Sequence, residues 1–299
     1  MNALVSDYLK PAVVSQLDRL DLIARLVVEG FITGLHQSPY HGFSVEFSEY
    51  RQYMPGDPLR NLDWKVWGRT DRLFVKQFEE ETNLKAYLVL DSSASMAYAS
   101  GGITKHRYAA LVSAVLAHLM LRQRDAVGLV SFDSELRSFL PPKSVSSYLH
   151  TILKAVDESV PDGTDTDLAE TFHDLAERIK RRALIVVLTD LLDDTDSILN
   201  GLKHLRHRNH EVIVFHLLDP REHDLAFDQE TVFVDLESGT RVSTEPWQIA
   251  REYRAEIDAR LTRLQRECRD NFIDYVCLDT ETPFNVALSN YLAKRRRLK

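Results

Sequence analysis

The sequence predicts an α/β fold in which a doubly wound, mostly parallel sheet is covered by helices on both faces. From Lys85 onward, short apolar strands alternate with helical segments, which is typical of a parallel sheet built from strand–helix–strand units. The strand "KAYLVLD" also shows little alternation of polar and apolar residues, as expected when both faces of a sheet are covered.

The residues before Lys85 follow different patterns. Apolar residues recur at helical spacing from about Asp7 to Glu29 and predict a helix. From Gly30 to Asn83 the chain is rich in aromatic residues and is broken by glycines and prolines, and its short alternating runs predict strands. We therefore predict a smaller N-terminal part, residues 1–83, with a helix and a β-rich module of aromatic and arginine residues, ahead of an α/β domain at residues 84–299.

The α/β domain is predicted to contain six strands of the main sheet. They are "KAYLVLD", "AVGLVSFD", an edge strand near "ELRSFLP", "ALIVVLTD", "EVIVFHLLD" and "IDYVCLD". The run "TVFVDLESGTRVST" alternates and contains a Ser-Gly pair, so it predicts a hairpin insertion near residues 230–244. A long helix from Trp247 to about Arg269 follows it, and a final helix begins at about Pro283.

Composition excludes several classes of protein. No apolar run among the 299 residues approaches the roughly 20 residues that span a bilayer, so no transmembrane segment is expected. The first residues lack the pattern of a secretory signal, and the two cysteines form neither a disulfide framework nor a zinc motif, which predicts a cytoplasmic location. The net charge of −8 argues against nucleic-acid binding.

The most informative short motif is "DSSAS", which follows the first strand of the α/β domain. Asp91, Ser93 and Ser95 lie at positions i, i+2 and i+4, and a loop with this spacing can direct three oxygens toward one point. Oxygen ligands are those that a hard cation requires. The same residue types also favour turns and helix caps, and an isolated motif of this kind is more often structural.

Two further loops supply oxygens at the same predicted edge of the sheet. The segment "DGTDTDLAE" contains Thr164 and Thr166 ahead of a helix, and "VVLTD" ends another strand at Asp190. Ligands of open α/β sheets bind outside the carboxyl ends of the strands, where all three loops fall. The three loops together therefore favour a binding site over a set of unrelated caps.

This constellation resembles the metal-ion-dependent adhesion site of von Willebrand factor A domains, over about Lys85 to Lys299. Carried over by motif, the resemblance implies the metal ligands Asp91, Ser93, Ser95, Thr164 and Asp190. Thr164 is chosen over Thr166 because the family uses the first threonine of its G-T-x-T pattern. Many family members follow the last aspartate with glycine, whereas Leu191 and Leu192 follow it here.

The resemblance implies a function as well as a ligand set. Such a site holds Mg²⁺ or Mn²⁺ and keeps one position of the cation open to water, which a carboxylate of another protein can replace. The implied activity is metal-bridged recognition of a partner and not catalysis.

The segment before the sheet resembles the prokaryotic family called domain of unknown function 58, together with the "LVLDSSASM" strand. The residues that carry this resemblance are Arg51, Tyr53, Gly56, Asp57, Arg60, Asp63 and Trp64, followed by the acidic "FEEE". The resemblance implies a cofactor or adaptor for a MoxR-type AAA+ ATPase that acts on an unidentified client protein. Physically, the arginines, carboxylates and aromatic rings form either a rigid structural platform or a docking surface.

Two alternatives to an adaptor remain at this point. A metal-dependent phosphate-ester hydrolase would use Asp91 and Asp190 to hold the cation, with Asp165 or Asp167 as the nearby acid–base residue. A structural scaffold would keep the fold with an unoccupied site. No G-x-x-x-x-G-K-[ST] loop is present, so the chain is not expected to hydrolyse ATP itself.

Overall fold

The computed structural model describes residues 11, 19–37, 50–52, 67–69, 73–76, 84–161 and 168–298. Contacts divide the chain into two compact units, Met1–Gly34 with Leu84–Lys299 and, separately, Leu35–Asn83. The predicted division into residues 1–83 and 84–299 stays a prediction.

The described part of the smaller unit contains a pair of short strands, β1 (Tyr50–Gln52) and β2 (Phe74–Lys76). They pair antiparallel, with Arg51 opposite Val75. Arg51 is the only one of the seven residues assigned to a platform or docking surface that lies in the described chain, and its side chain is outside the described part. Tyr53, Gly56, Asp57, Arg60, Asp63 and Trp64 lie outside the described residues.

The larger unit is built on a six-stranded sheet. Its strands are β3 (Lys85–Asp91), β4 (Ala126–Phe132), β5 (Leu136–Lys143), β6 (Leu184–Thr189), β7 (Glu211–Leu218) and β10 (Asp274–Asp279). Their order across the sheet is β10-β7-β6-β3-β4-β5, and every neighbouring pair is parallel except β4 and β5. This confirms the predicted α/β class, the mostly parallel sheet and the edge strand.

Helices precede, connect and follow these strands. They are α1 (Leu20–Gln37), α2 (Lys105–Arg122), α3 (Tyr148–Glu158), α4 (Leu168–Arg178), α5 (Thr195–His207), α6 (Pro220–Asp224), α7 (Pro246–Asp270) and α8 (Phe284–Arg297). A 3₁₀ turn, Ala94–Ala97, follows β3. Within the described residues no helix is long and apolar enough to cross a membrane.

Helices cover both faces of the sheet, because the central strands are apolar on both sides. Tyr87 and Val89 of β3 belong to a core cluster with residues of α4, α5 and α7. Leu88 and Leu90 alternate to the opposite face, where α2 contacts β3 and β4. Because these side chains are buried on both faces, the position of each strand along its neighbours is fixed. The position at which each strand ends is fixed with it.

Helix α1 extends further than the sequence pattern indicates. The pattern places a change of structure at Gly30, but the helix continues to Gln37. Phe31 is buried and stands four residues after the buried Val27, so the apolar stripe runs through Gly30. A single glycine inside a helix costs only about 1 kcal/mol relative to alanine, which packing can offset.

The predicted hairpin is present as β8 (Thr231–Val234) and β9 (Arg241–Thr244), which pair antiparallel. Its turn is closed by Asp235, whose side chain accepts hydrogen bonds from the Glu237 N–H and the Ser238 hydroxyl. Gly239 takes a φ of 71°, a left-handed conformation that glycine adopts without steric cost.

Candidate functional site

The connections that leave β3 and β6 run in opposite directions along the sheet. From β3 the chain passes through α2 to β4, and from β6 it passes through α5 to β7 on the other side. Such a reversal opens a crevice between the carboxyl ends of the two strands, and this is where ligands of open α/β sheets bind. The two aspartates predicted from the sequence, Asp91 and Asp190, lie at these two strand ends.

The loop after β3 gathers the first three predicted ligands. Asp91 accepts a hydrogen bond from the Ser93 N–H at 2.9 Å, so its side chain closes the turn. The hydroxyls of Ser93 and Ser95 lie 3.0 Å apart. Asp91 and Ser93 are buried, whereas Ser95 is half-buried and is thus the member of the set nearest to solvent. The 3₁₀ turn that follows, Ala94–Ala97, buries the side chain of Met96.

The end of β6 is bonded directly to this loop. Leu188 pairs with Leu90 in the sheet, which brings the next residue of β6, Thr189, beside Asp91. The Thr189 hydroxyl donates to the second carboxylate oxygen of Asp91 at 2.5 Å. Sequence reasoning did not assign Thr189 a role, because its contact with Asp91 depends on the register between the two strands.

Asp190 has a partner that the sequence did not reveal. The Lys105 ammonium, at the start of α2, lies 2.8 Å from Asp190 Oδ2 and 2.5 Å from Glu222 Oε1. The Lys105 side chain is fully buried and Asp190 is 2% exposed. Glu222 is held in place by α6, where it accepts a hydrogen bond from the Asp219 N–H in a capping box.

We call Asp91, Asp190, Lys105 and Glu222 the carboxyl-edge cluster. Burial, and secondarily repulsion by Asp190, raise the pKa of Asp91 to about 7, against the hydrogen bonds from Thr189 and Ser93. Burial alone would lower the pKa of Lys105, but attraction by Asp190 and Glu222 outweighs it and the pKa is raised. With all three carboxylates ionised, one ammonium leaves two negative charges in excess.

The loop after Asp190 holds a strained residue. Leu191 has a φ of 52°, a left-handed conformation that costs a non-glycine residue about 1 kcal/mol. The residue is fully buried, its N–H donates to the Thr189 hydroxyl at 3.1 Å, and the Arg260 guanidinium donates to its carbonyl. Packing and hydrogen bonds thus impose the conformation that glycine would adopt freely, at the position where many von Willebrand A domains carry glycine.

The threonine loop cannot be placed in the same way. Thr164 and Thr166, and the acid–base candidates Asp165 and Asp167, lie outside the described residues. The first described residue after them, Leu168, donates its N–H to Asp193 Oδ2 at 3.1 Å, in the loop that follows Asp190. The choice of Thr164 over Thr166 stays a prediction.

The donor set fits a hard cation in its chemistry. Asp91, Ser93, Ser95 and Asp190 offer only oxygen, which suits Mg²⁺ or Mn²⁺ better than a softer metal. Each oxygen of Asp190 already meets a protein donor, Lys105 Nζ at Oδ2 and the Leu192 N–H at Oδ1, but a carboxylate has about four lone-pair sites and can accept more. No group of three or more His, Cys, Asp or Glu side chains is arranged to hold a metal within the described residues, this edge included, and the candidate set here has two carboxylates and two serine hydroxyls.

Comparison with known proteins identifies a family. The profile of the family described as "Protein of unknown function DUF58" matches residues 49–267. The uncharacterized protein Rv1480 of Mycobacterium tuberculosis (strain ATCC 25618 / H37Rv) is 26% identical over 293 residues, which cover 96% of this chain and 91% of Rv1480. The match therefore confirms the resemblance to domain of unknown function 58 that the sequence predicts.

Solved structures show the same fold. The conserved hypothetical protein BatB from Bacteroides thetaiotaomicron is 15% identical, with a TM-score of 0.51 over 72% of this chain and 99% of that chain. The VWA domain of SpRpn10 is 9% identical, with a TM-score of 0.38 over 70% of this chain and 95% of that domain. Of these two superpositions, the one on BatB has a TM-score above 0.5, and it shows the fold alone.

Proposed function

This chain belongs to the DUF58 family, and from the geometry of its carboxyl edge we propose that it is a non-enzymatic protein-interaction module that depends on a divalent cation. Mg²⁺, or Mn²⁺ in its place, would be held by Asp91, Ser93, Ser95 and Asp190, with Thr164 as the expected fifth ligand. A carboxylate of a partner protein would complete the site.

The observation that carries the proposal is the charge of the carboxyl-edge cluster. Three carboxylates are gathered in a largely buried place against the single ammonium of Lys105. Unpaired buried charge is costly, and the raised pKa of Asp91 reflects that cost. A divalent cation would stabilise the ionised form of Asp91 and offset the two excess negative charges that the cluster then carries. The paired hydroxyls of Ser93 and Ser95 would supply neutral ligands beside it.

The exposure of the loop supports access by a partner. Asp91, Ser93 and Asp190 are at most 2% exposed, while Ser95 is half-buried. On the side of Asp91, Ser93 and Asp190, the protein would shield a bound cation from solvent. On the side of Ser95, a partner could approach the cation. This exposure supports access by a partner carboxylate, which the von Willebrand A resemblance of the sequence implies.

The role of such a module as an adaptor for a MoxR-type AAA+ ATPase rests on the family resemblance. The site itself is compatible with any partner that presents a carboxylate. We propose the ATPase, together with a client protein, as the assembly in which this site acts.

A pulldown tests the proposal in four conditions, with wild-type chain and Asp91→Ala, each in Mg²⁺ and in EDTA. We expect an AAA+ ATPase or its client to be retained by the wild type in Mg²⁺ and lost in the other three. Asp133→Ala is a matched control, because Asp133 is also a buried aspartate just after a strand but is paired with Arg137 at 2.6 Å. Retention of the same proteins in all four conditions would contradict a metal bridge.

One observation favours a second function, a scaffold that binds partners without a metal. Lys105 already places a positive charge on Asp190, and an ammonium can act as the permanent counter-ion of a carboxylate. In that case partner binding would be indifferent to EDTA. Removal of Lys105 would then abolish partner binding. If the partner binds through the metal instead, partner binding would survive the removal of Lys105 in excess Mg²⁺.

A further inference from the structure

An apolar groove adjoins the carboxyl edge. Its volume is about 410 Å³, and its walls come from the β8–β9 hairpin, from α6 and the residues after it, from α7, and from the loops after β3 and β6. Phe227 and Phe233 meet edge to face with ring centroids 5.4 Å apart and hold the hairpin against the segment after α6. The groove is thus a consequence of the hairpin insertion.

The walls of this groove expose large apolar side chains. Among the twelve exposed large apolar residues in the described chain, five line it. They are Leu192, Val234, Leu236, Val242 and Ile249. Exposed apolar residues scattered singly are ordinary, but a cluster around one concavity is typical of a surface that binds another molecule.

The groove is continuous with the candidate cation site. Ser95, a predicted ligand, lines the groove, and so does Leu192, two residues after Asp190. A partner that reaches the half-buried hydroxyl of Ser95 therefore lies at the end of the groove.

The wall of the groove carries charges of both signs, and its one exposed cationic side chain, Arg221, can pair with a carboxylate. Arg221 is exposed on the wall, and its guanidinium lies 4.9 Å from the Phe227 ring. The Glu222 carboxylate, also on the wall, is bonded to Lys105 and to the Asp219 N–H. Asp235 is bonded to the hairpin turn. Arg221 thus complements a carboxylate at the groove, as a bound cation would at its end.

We infer that the groove binds a large apolar side chain of the same partner segment whose carboxylate binds the cation. The ligand is then a polypeptide segment in which an aspartate or glutamate lies within a few residues of a leucine, isoleucine, phenylalanine or similar side chain. This inference rests on the proposed function and adds the feature that selects among acidic partners. The carboxylate supplies metal dependence, and the apolar side chain supplies affinity and specificity.

Two valines of the hairpin provide a matched pair of variants. Val242 lines the groove and is 57% exposed, whereas Val232 is 55% exposed and does not line it. In the hairpin register Val242 pairs with Phe233 and Val232 pairs with Ser243, which places the two valines on opposite faces. Either substitution replaces a β-branched residue by asparagine in a two-stranded hairpin, so the pair is matched in residue type and in exposure. Ile249→Asn, in α7, is a second groove variant that leaves the hairpin intact.

The experiment is a selection of random peptides displayed on phage against the full chain in Mg²⁺, followed by affinity measurements on the enriched peptides. We expect enriched sequences to combine an acidic residue with a large apolar residue. Their affinity should fall about tenfold in Val242→Asn and in Ile249→Asn, because an apolar contact is lost. It should be unchanged in Val232→Asn and abolished by EDTA or in Asp91→Ala.

Other outcomes separate the groove from the cation site. Acidic peptides that need Mg²⁺ but show no apolar preference, or equal affinities of Val242→Asn and Val232→Asn, would overturn the groove and leave the proposed function standing. Apolar peptides that bind equally well in Mg²⁺ and in EDTA would show that the groove binds them without the cation. This result would overturn the inference that one partner segment occupies both sites. No enrichment over Asp91→Ala would contradict the groove and the proposed function together.

Discussion

Two buried charge clusters lie at opposite edges of the main sheet, and they are built differently. At the amino edge, Asp125 precedes β4 and accepts two hydrogen bonds from the Arg295 guanidinium, at 2.6 and 3.1 Å, and one from the Tyr291 hydroxyl. We call these three residues the amino-edge cluster. It pairs one carboxylate with one guanidinium in a fork geometry, so its charge is balanced. The carboxyl-edge cluster sets three carboxylates against one ammonium.

The difference separates a cluster that stabilises the fold from one that is prepared for a ligand. The amino-edge cluster joins α8 to the sheet and needs nothing further. The carboxyl-edge cluster carries excess negative charge, is followed by the strained Leu191 and adjoins an exposed apolar groove. Strain, unbalanced charge and exposed apolar surface each cost stability, and their coincidence at one edge is typical of a functional site.

The largest effect is expected from Asp125→Ala. The change leaves the Arg295 guanidinium largely buried without its carboxylate, which should lower the free energy of unfolding by about 3–5 kcal/mol. Urea denaturation measures the loss, and it should be the same in Mg²⁺ and in EDTA. A loss that Mg²⁺ partly restores would contradict a purely structural role for the amino-edge cluster.

A smaller effect that depends on metal is expected from Lys105→Met. Asp190 and Glu222 lose their counter-charge, so the free energy of unfolding in EDTA should fall by about 3 kcal/mol. Mg²⁺ should restore part of that loss, because the cation takes over the balance of charge. Arg295→Met serves as the control, because the free energy of unfolding that it loses should not be restored by Mg²⁺. If Mg²⁺ restored the same free energy in both variants, the two clusters would not differ as described.

The smallest effect is expected from Arg263→Ala, which removes an ion pair between two exposed side chains. Arg263 pairs with Asp196 on the surface, with the two side chains 45% and 67% exposed. Exposed pairs contribute about 0–1 kcal/mol, so the melting temperature should change little at any Mg²⁺ concentration. If Arg263→Ala lowered the free energy of unfolding as much as Lys105→Met, burial would not account for the large effects expected at the two clusters.

Much of the fold could be predicted from local sequence. The continuous apolar run of β3 predicts a strand covered on both faces, and the ends of β3 and β6 place Asp91 and Asp190 at one edge once the sheet is parallel. The hairpin follows from alternation and its Ser-Gly pair. The sequence pattern ends helix α1 too early, because Gly30 breaks the pattern whereas the helix continues past Gly30 and the buried Phe31 to Gln37.

The remaining parts of the site depend on contacts that sequence patterns do not encode. Lys105 and Glu222 are 117 positions apart, and no periodicity relates them. The "D-P-R-E" run predicts a capped helix at Asp219 but does not predict that Glu222 turns toward Lys105. The groove likewise could not be predicted, because it depends on which face of the hairpin packs against the rest of the domain. The alternation in β8 and β9 defines two faces but does not indicate which one is covered.

The most direct test of the central claim is a titration of the chain with Mn²⁺, followed by the loss of the electron paramagnetic resonance signal of free Mn²⁺. We predict that the wild type binds one Mn²⁺ that excess Mg²⁺ displaces, that Asp133→Ala binds it equally, and that Asp91→Ala does not bind it. Absence of binding to the wild type, or equal binding by Asp91→Ala, would show that the excess negative charge at the carboxyl edge is not a cation site.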